Sequence, residues 1–260
     1  MAYQAFYDSL LWRNMSTLDW EFGMFIQYLR HSYLIFVLFI FSTVSHANFN
    51  NRVWVEDNVI YYVGHLTKVL NNEVFQLYEE NKAINLIAIQ SKGGEVNAGL
   101  DLGLFLYSNG LNVRVDSYCL SSCANYVFTA GIVKYVSSNS LIAFHGGATS
   151  ESNMNETFLE ELPISERKIL IDKFKIYRKK LVIREKEFFD RISVQQRITT
   201  IGETNKLLPF WEAEYIGWYY TKSSLSKLGV KNIVVNGGKW EPMESLNELK
   251  FFRIREEDVI

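Results

Sequence analysis

The 260-residue sequence contains little cysteine, proline or histidine, and neither sign of charge is in clear excess. Two cysteines are too few for a cysteine-rich zinc site or for a scaffold held by several disulfides. Lys and Arg total 27 against 29 Asp and Glu, which argues against a dedicated nucleic-acid binder. Few histidines and no clustered carboxylates indicate no metal or organic cofactor. The hydrophobic fraction of 48% is enough to bury the core of one large domain or two small ones.

One long apolar run, YLIFVLFIFSTV, occupies residues 33–44. It follows Arg30 and His31 and ends at the small-residue sequence Ser45-His46-Ala47. A positive start, a short apolar run and a small-residue exit are typical of a secretory signal peptide. A bilayer-spanning helix needs roughly twenty apolar residues, so a membrane anchor is the weaker alternative. The residues before Met24 include acids that do not suit a signal sequence, and we expect translation to start at Met24.

Export would place the mature chain in an oxidising compartment, the periplasm, or leave it anchored there by an uncleaved leader. We expect an N-terminal extension with the signal peptide at 1–47, an α/β domain at 48–240 and a C-terminal tail at 241–260. Contact with a membrane is expected only through the N-terminal segment. The mature chain would retain two histidines, His65 and His145.

Strands and helices alternate through the first half of the mature chain. Short apolar, β-branched runs predict strands at 53–63, 84–90, 113–118, 141–144 and 232–235. Helices are predicted at 68–81, 97–108, 123–131, 166–192 and 223–228. This order predicts an α/β fold with a largely parallel sheet. The helix 166–192 carries one apolar stripe among charges, and it either packs on the core or forms an oligomer contact. The aromatic stretch 208–220 has the same two interpretations.

Three short segments contain the candidate catalytic residues. Gly93 and Gly94 lie between a strand and a helix, where their N–H groups can form either an oxyanion cradle or an ordinary tight turn. Ser121 and Ser122 also precede a helix, where a serine acts as a nucleophile or as a cap. His145 ends a strand 23 residues after Ser122, so the two can converge at one sheet edge, although a structural histidine is the alternative.

The spacing within these segments is specific. The glycine turn has the sequence SKGGEVNAG, Ser122 is followed nine residues later by the glycine of Ala130-Gly131, and His145 follows a strand that begins after Asn139-Ser140. In this order the segments resemble the proteolytic subunit of the Clp protease and signal-peptide peptidase A, within the ClpP/crotonase superfamily. The resemblance covers about residues 53–147, with a weaker likeness at 223–233.

The resemblance implies a spiral of repeated ββα units and an ATP-independent serine peptidase that acts on peptides or unfolded protein. It also implies assembly into a homo-oligomer. Ser122 would attack the scissile carbonyl, and His145 would take its proton and pass it to the leaving amine. The oxyanion hole would be drawn from the backbone N–H groups of Gly93, Gly94 and Cys123.

The third catalytic residue departs from the family pattern. Its acid would fall at Gly217, which has no side chain. Glu214 is the candidate we assign to this role, with Glu212 beside it and Glu203 and Asp190 farther away. Otherwise the chain is a Ser–His dyad or a catalytically inactive binding or assembly module of the same fold. A crotonase-like acyl-CoA enzyme is a further alternative, but CoA is not expected outside the cytoplasm.

Cys119 and Cys123 flank the proposed nucleophile, Ser122. In an oxidising compartment a four-residue separation across a turn allows them to form a disulfide. The alternatives are two buried thiols or, less favoured, Cys123 as a thiol nucleophile.

Overall fold

The computed structural model describes residues 51–150, 163–204, 207 and 214–259. The predicted signal peptide and the start at Met24 lie outside the described residues, as does most of the aromatic stretch 208–220. Within the described ranges, no helix combines the length and apolar character needed to cross a bilayer.

The chain folds as mixed α/β structure with twelve strands in the described part. They are β1 (Arg52–Glu56), β2 (Val59–Val63), β3 (Leu86–Gln90), β4 (Asn112–Val115), β5 (Tyr118–Leu120), β6 (Lys134–Ser137), β7 (Leu141–Phe144), β8 (Trp218–Tyr220), β9 (Ile233–Asn236), β10 (Ser245–Leu246), β11 (Leu249–Lys250) and β12 (Phe252–Ile254). Six of them form the central sheet, in the order β1-β2-β3-β4-β6-β9. All neighbours in it are parallel except β1 and β2, whose hairpin turns at Asp57 and Asn58, both with positive φ. The prediction of a mostly parallel sheet is confirmed.

A second sheet of four strands has the order β12-β8-β7-β5. β5 runs parallel to β7, β7 antiparallel to β8, and β8 parallel to β12. A single bridge between Ser91, just beyond β3, and Cys119 of β5 links the two sheets. The run 113–118, predicted as one strand, therefore belongs to two sheets, because β4 ends at Val115 and β5 begins at Tyr118.

Four α-helices and one π-helix pack on these sheets. They are α1 (Lys68–Glu80), α2 (Val96–Ser108), the π-helix (Cys123–Phe128), α3 (Ile164–Ile192) and α4 (Lys222–Lys227). Thr67 and Thr221 cap α1 and α4, each accepting a backbone N–H with its hydroxyl oxygen. The long helix α3 ends at Ser193, which has a left-handed conformation that stops the helix.

The residues from 241 onward, expected to form a tail, are integral to the fold. Strand β12 pairs with β8, and Ile254 and Val259 are buried in the main core. Phe251 belongs to a smaller cluster that covers the other face of the second sheet, with Tyr118, Leu120, Leu141, Ala143 and Tyr219. The second sheet therefore has buried residues on both faces.

Candidate active site

Ser122 and His145 lie just beyond the ends of two neighbouring parallel strands. Leu120 of β5 pairs with Ala143 of β7, and the N–H of Ser121 donates to the carbonyl oxygen of Ala143 at 2.8 Å. Each of the two candidate residues follows its paired strand residue by two positions. The strand ends that lead into Ser122 and His145 therefore lie about 4.8 Å apart at the same edge of the second sheet.

Ser122 is placed by a sharp turn between β5 and the π-helix. Ser121 has a left-handed backbone with φ 57°, whereas Ser122 is already helical with φ −55°. Ser122 is 3% exposed, and its hydroxyl donates to the carbonyl oxygen of Gly94 at 2.9 Å. The nucleophile predicted from the sequence therefore stands at the start of a helix and against the glycine turn, with its proton engaged there.

The glycine turn packs closely on two sides because neither glycine carries a side chain: Gly93 lies against the serine turn, and Gly94 against the backbone of Leu66. A Cβ atom on Gly93, where φ is 93°, would lie 2.7 Å from Cβ of Ser121 and from the carbonyl oxygen of Leu120. A Cβ atom on Gly94 would lie 2.3 Å from the carbonyl oxygen of Leu66. Both approaches are too close for any other residue type.

The three predicted backbone donors differ in whether they already have a hydrogen-bond acceptor. The N–H of Gly93 donates to Oγ of Ser91 at 3.0 Å, so this predicted donor is already occupied. The N–H groups of Gly94 and Cys123 donate to no other residue in the described part of the chain. Those two groups belong to the turns that flank Ser122, and they are the donors available to an oxyanion.

His145 is exposed and follows the fully buried Phe144. Its imidazole forms no hydrogen bond with another residue of the described ranges. The backbone that carries it is held from the serine side, because Nδ2 of Asn125 in the π-helix donates to the carbonyl oxygen of Gly146 at 2.8 Å. The other amide atom of Asn125, Oδ1, is buried and has no partner among the described residues. Asn125 thus ties the serine helix directly to the histidine loop.

Gly217, where the resemblance would place the acid, has no room for a side chain. A Cβ atom on Gly217 would lie 3.1 Å from Cβ of His145 but only 2.3 Å from the carbonyl oxygen of Phe144. Glu214 is exposed and forms an ion pair with Lys250. Its carboxylate is thus engaged with a lysine, and Glu212 lies outside the described residues.

A different carboxylate approaches the histidine loop. A Cβ atom on Gly146, the residue after His145, would lie 2.8 Å from Oε1 of Glu203. Glu203 lies in a short 3₁₀ turn that begins at Ile201, and its side chain is half-buried. From the sequence, Glu214 is the better candidate because it is nearer to Gly217 along the chain. The approach of Glu203 depends on the turn after α3, which returns the chain to this loop and which local sequence does not predict.

A buried carboxylate, which the sequence analysis missed, fixes the same loop from α3. Glu185 is fully buried and accepts hydrogen bonds from the Tyr126 hydroxyl at 2.6 Å, the Ala148 N–H at 2.9 Å and the Gln196 amide at 2.9 Å. Burial, together with the nearby Glu185 carboxylate, raises the pKa of Tyr126 well above its ordinary value. The signal was present in the sequence: Glu185 stands four residues after Leu181, on the stripe that faces the core.

The two cysteines form a disulfide across the serine turn. Cys119 in β5 and Cys123 in the π-helix have Cα atoms 5.2 Å apart, and both side chains are fully buried. The bond therefore closes a small loop that contains Ser121 and Ser122, and Cys123 cannot act as a thiol nucleophile while it exists.

No protein-family model matches the chain, and no curated protein is significantly similar to it in sequence. A proposal for the function therefore depends on the geometry of the site and the chemistry that it allows. The site combines a serine and a histidine that follow neighbouring strand ends with two backbone N–H groups in the turns next to the serine.

Proposed function

We propose that this chain is an exported, ATP-independent serine peptidase of the Clp-protease type, acting on peptides or unfolded protein segments. The observation that carries the proposal is the parallel pairing of β5 with β7, which brings together the two strand ends that Ser122 and His145 follow. The N–H groups of Gly94 and Cys123 support an oxyanion site in the adjoining turns. The disulfide between Cys119 and Cys123 supports an oxidising compartment such as the periplasm.

The recurrence of strand pairs supports the spiral fold expected from the family resemblance. In β4–β5 and again in β6–β7, the first strand joins the central sheet and the second joins the four-stranded sheet. The π-helix follows the first pair. We propose that this repeat is the ββα unit of the ClpP/crotonase superfamily, and that the protein assembles as a homo-oligomer as members of that group do.

The proposed reaction begins when the Ser122 hydroxyl exchanges its bond to Gly94 for one to the imidazole of His145. Oγ then attacks the scissile carbonyl carbon while its proton passes to His145. The resulting oxyanion accepts hydrogen bonds from the N–H groups of Gly94 and Cys123, each worth roughly 10²–10³ in rate in enzymes where one such donor has been removed. His145 gives the proton to the leaving amine and then activates the water that releases the acyl group.

We propose Glu203 rather than Glu214 as the carboxylate that supports His145. Oε1 of Glu203 lies against Gly146, next to the histidine, whereas Glu214 is paired with Lys250 at an exposed site. A carboxylate in this role stabilises the imidazolium that forms during attack. Because Glu203 is half-buried, its electrostatic effect is screened less by water than that of a fully exposed acid.

One experiment tests the assignment. The purified protein is treated with a fluorophosphonate probe, which reacts only with an activated serine, and the modified residue is located by mass spectrometry. We expect labelling of Ser122, lost in Ser122→Ala and slowed roughly 10²-fold or more in His145→Ala. Ser121→Gly is the matched control, since glycine accepts the left-handed backbone at that position and the change removes only the neighbouring hydroxymethyl group.

The same measurement separates the two acids. Glu203→Gln should slow labelling of Ser122, whereas Glu214→Gln should leave the rate unchanged. The reverse result would return the role to Glu214, and equal rates in both variants would indicate a Ser–His dyad. A folded protein that the probe does not modify at Ser122 would refute the peptidase.

A specific observation favours a second candidate, a catalytically inactive binding or assembly module of the same fold. The Ser122 proton is donated to Gly94 rather than to His145, and the position of the family acid is closed by the carbonyl of Phe144. In such a module the two residues would be remnants. It predicts that Ser122→Ala and His145→Ala bind an unfolded protein substrate as well as the wild type does.

A further inference from the structure

The outward face of α3 carries an exposed apolar row. Ile169, Ile176 and Ile183 have 56%, 59% and 51% of their surface exposed. They are seven residues apart, so they fall almost in line on one side of the helix, over a length of about 21 Å. Three large exposed side chains in one line are unlike the single apolar residues scattered over an ordinary surface.

Lysines flank the isoleucine row on both sides. Between residues 168 and 186 the exposed charged side chains are Asp172 and six lysines. These lysines are Lys168, Lys173, Lys175, Lys179, Lys180 and Lys186. None of the six forms an ion pair with another residue that the structure describes. Within this span the exposed side chains carry six positive charges and one negative, whereas the exposed acids Glu166, Glu187 and Asp190 lie just outside it on the same helix.

The opposite face fixes the direction in which the row points. Leu181, Phe188 and Phe189 are buried in the core, and Glu185 holds the histidine loop. Arg184 donates to Oδ1 of Asn97 in α2 at 2.6 Å. The second half of α3 is thus held against the domain, and the isoleucines face away from it.

We propose that this face of α3 docks on an anionic lipid surface. An interfacial helix combines large apolar side chains, which enter the boundary between headgroups and acyl chains, with lysines that contact anionic headgroups. A second copy of the same face would bring lysines against lysines, and a bare phosphate polymer would make no use of the isoleucines. The sequence predicts membrane contact only through the N-terminal segment, and α3 would provide a second contact.

The test is co-sedimentation of the full chain with vesicles. Binding should be strong to phosphatidylcholine mixed with phosphatidylglycerol, weak to phosphatidylcholine alone, and reduced by added salt. Ile176→Asp should lower the bound fraction of protein by roughly tenfold or more, since one inserted side chain is lost and a negative charge gained. Lys173→Glu combined with Lys180→Glu should have a similar effect on anionic vesicles.

Matched controls lie on α1. Lys68 and Val69 are both exposed there, so Lys68→Glu and Val69→Asp make the same chemical changes away from α3. Neither should alter binding, and thermal unfolding of all variants should match that of the wild type. If an apolar leader anchored the full chain, the protein would bind both kinds of vesicle, and no variant on α3 would change the bound fraction.

Three results would overturn the proposal. One is vesicle binding that the α3 variants leave unchanged. Another is a protein that shows no preference for anionic vesicles but forms an oligomer that Ile176→Asp dissociates, as a second copy on this face requires. The third is equal binding of polyglutamate by the wild type and Ile176→Asp together with no binding to vesicles, which would indicate an acidic polypeptide as the partner.

Discussion

Lys134 is a cation buried at the start of β6. It is 5% exposed, and its ammonium donates to the carbonyl oxygen of Gly131 at 2.5 Å. This bond supports the chain just after the π-helix, where carbonyl groups lack helical partners. Burial lowers the pKa of Lys134 to about 8, because the charged form loses its hydration.

The lowered pKa of Lys134 predicts a pH dependence of stability. In the unfolded chain a lysine keeps its proton up to about pH 10.4, so between pH 8 and that value the unfolded state binds more protons than the folded state. The contribution of Lys134 to the free energy of unfolding therefore rises with pH in this window and is flat below it.

The measurement is guanidinium unfolding of the wild type and Lys134→Met at several pH values. We expect the variant to be the more stable at pH 7, and its advantage to shrink by about 1.5 kcal/mol between pH 8 and pH 9.5. Lys231→Met changes an exposed lysine on the wall of the same small pocket and should show no such trend. A difference between wild type and Lys134→Met that stays constant with pH would contradict the prediction.

Glu185 is the second residue whose burial has a measurable consequence. In Glu185→Gln the amide group replaces one accepting oxygen with a donor, so some of the donors from Tyr126, the 148–149 backbone and Gln196 lose their acceptor. We expect a loss of about 2–4 kcal/mol in the free energy of unfolding.

Two control variants provide a comparison for the loss of unfolding free energy in Glu185→Gln. Tyr126→Phe removes one donor of the group and should cost about 1–2 kcal/mol. Glu187→Gln, an exposed change on the same helix, should stay within about 0.5 kcal/mol of the wild type. If Glu185→Gln were as harmless as Glu187→Gln, the Glu185 carboxylate would not be what fixes the histidine loop.

At the scale of an element, the turn between β5 and the π-helix depends on its disulfide. The left-handed conformation of Ser121 is unfavourable for a residue with a Cβ atom, by roughly 1–2 kcal/mol, and the Cys119–Cys123 bond closes the loop around it. Replacing both cysteines with alanine should lower the free energy of unfolding by about 2 kcal/mol through the loss of that small loop. It should also slow fluorophosphonate labelling of Ser122, because the serine would no longer be held in one place.

Reduction of the disulfide provides an independent check. Both cysteines are fully buried, so a dithiol reductant should reach the bond only when the region opens. Thiol titration after reductant should therefore be slow in native buffer and fast in guanidinium. Rapid reduction of the native protein would show that the turn opens readily and is not held rigid.

The elements differ in how far the sequence alone specifies them. The strands β3 and β7 are short apolar runs bounded by polar residues, and α3 repeats apolar residues at helical spacing, so local pattern is enough to predict them. Strand β6 is not among the strands that local pattern predicts, because its sequence KYVS contains a lysine and a serine, and lysine is uncommon in strands. The division of 113–118 between two sheets depends on tertiary pairing, which no local pattern encodes.

The candidate site divides in the same way. Ser122, His145 and the glycine turn are predictable, because each follows a recognisable strand and parallel strand ends meet at one edge. Asn125 and the approach of Glu203 to Gly146 are not, because each depends on how a helix or turn packs across the sheet. The burial of Glu185 follows from its place on the core-facing stripe of α3, but its hydrogen-bond partners do not. Polar residues that support a site through such contacts look like ordinary surface residues in the sequence.

At the scale of the whole molecule, the described part of the chain depends on its C-terminal strands. Strand β12 is an edge strand of the second sheet, parallel to β8, and Phe252 and Ile254 pack into the main core. Phe251 covers the opposite face of the same sheet. That sheet carries β5 and β7, so the distant C-terminal residues support the strands that position Ser122 and His145.

A chain that ends after residue 240 should therefore lose both its cooperative thermal unfolding and its reaction with the fluorophosphonate probe.

Point substitutions in β12 give a second test that does not depend on a variant that fails to fold. Ile254→Ala, at a fully buried position, should cost about 2–5 kcal/mol, whereas Arg253→Ala, at an exposed position of the same strand, should cost less than about 1 kcal/mol. Guanidinium unfolding followed by tryptophan fluorescence measures both, since Trp218 lies in β8 beside β12. Equal stability of the two variants, or a truncated chain that still unfolds cooperatively, would mean that the last twenty residues are an appendage after all.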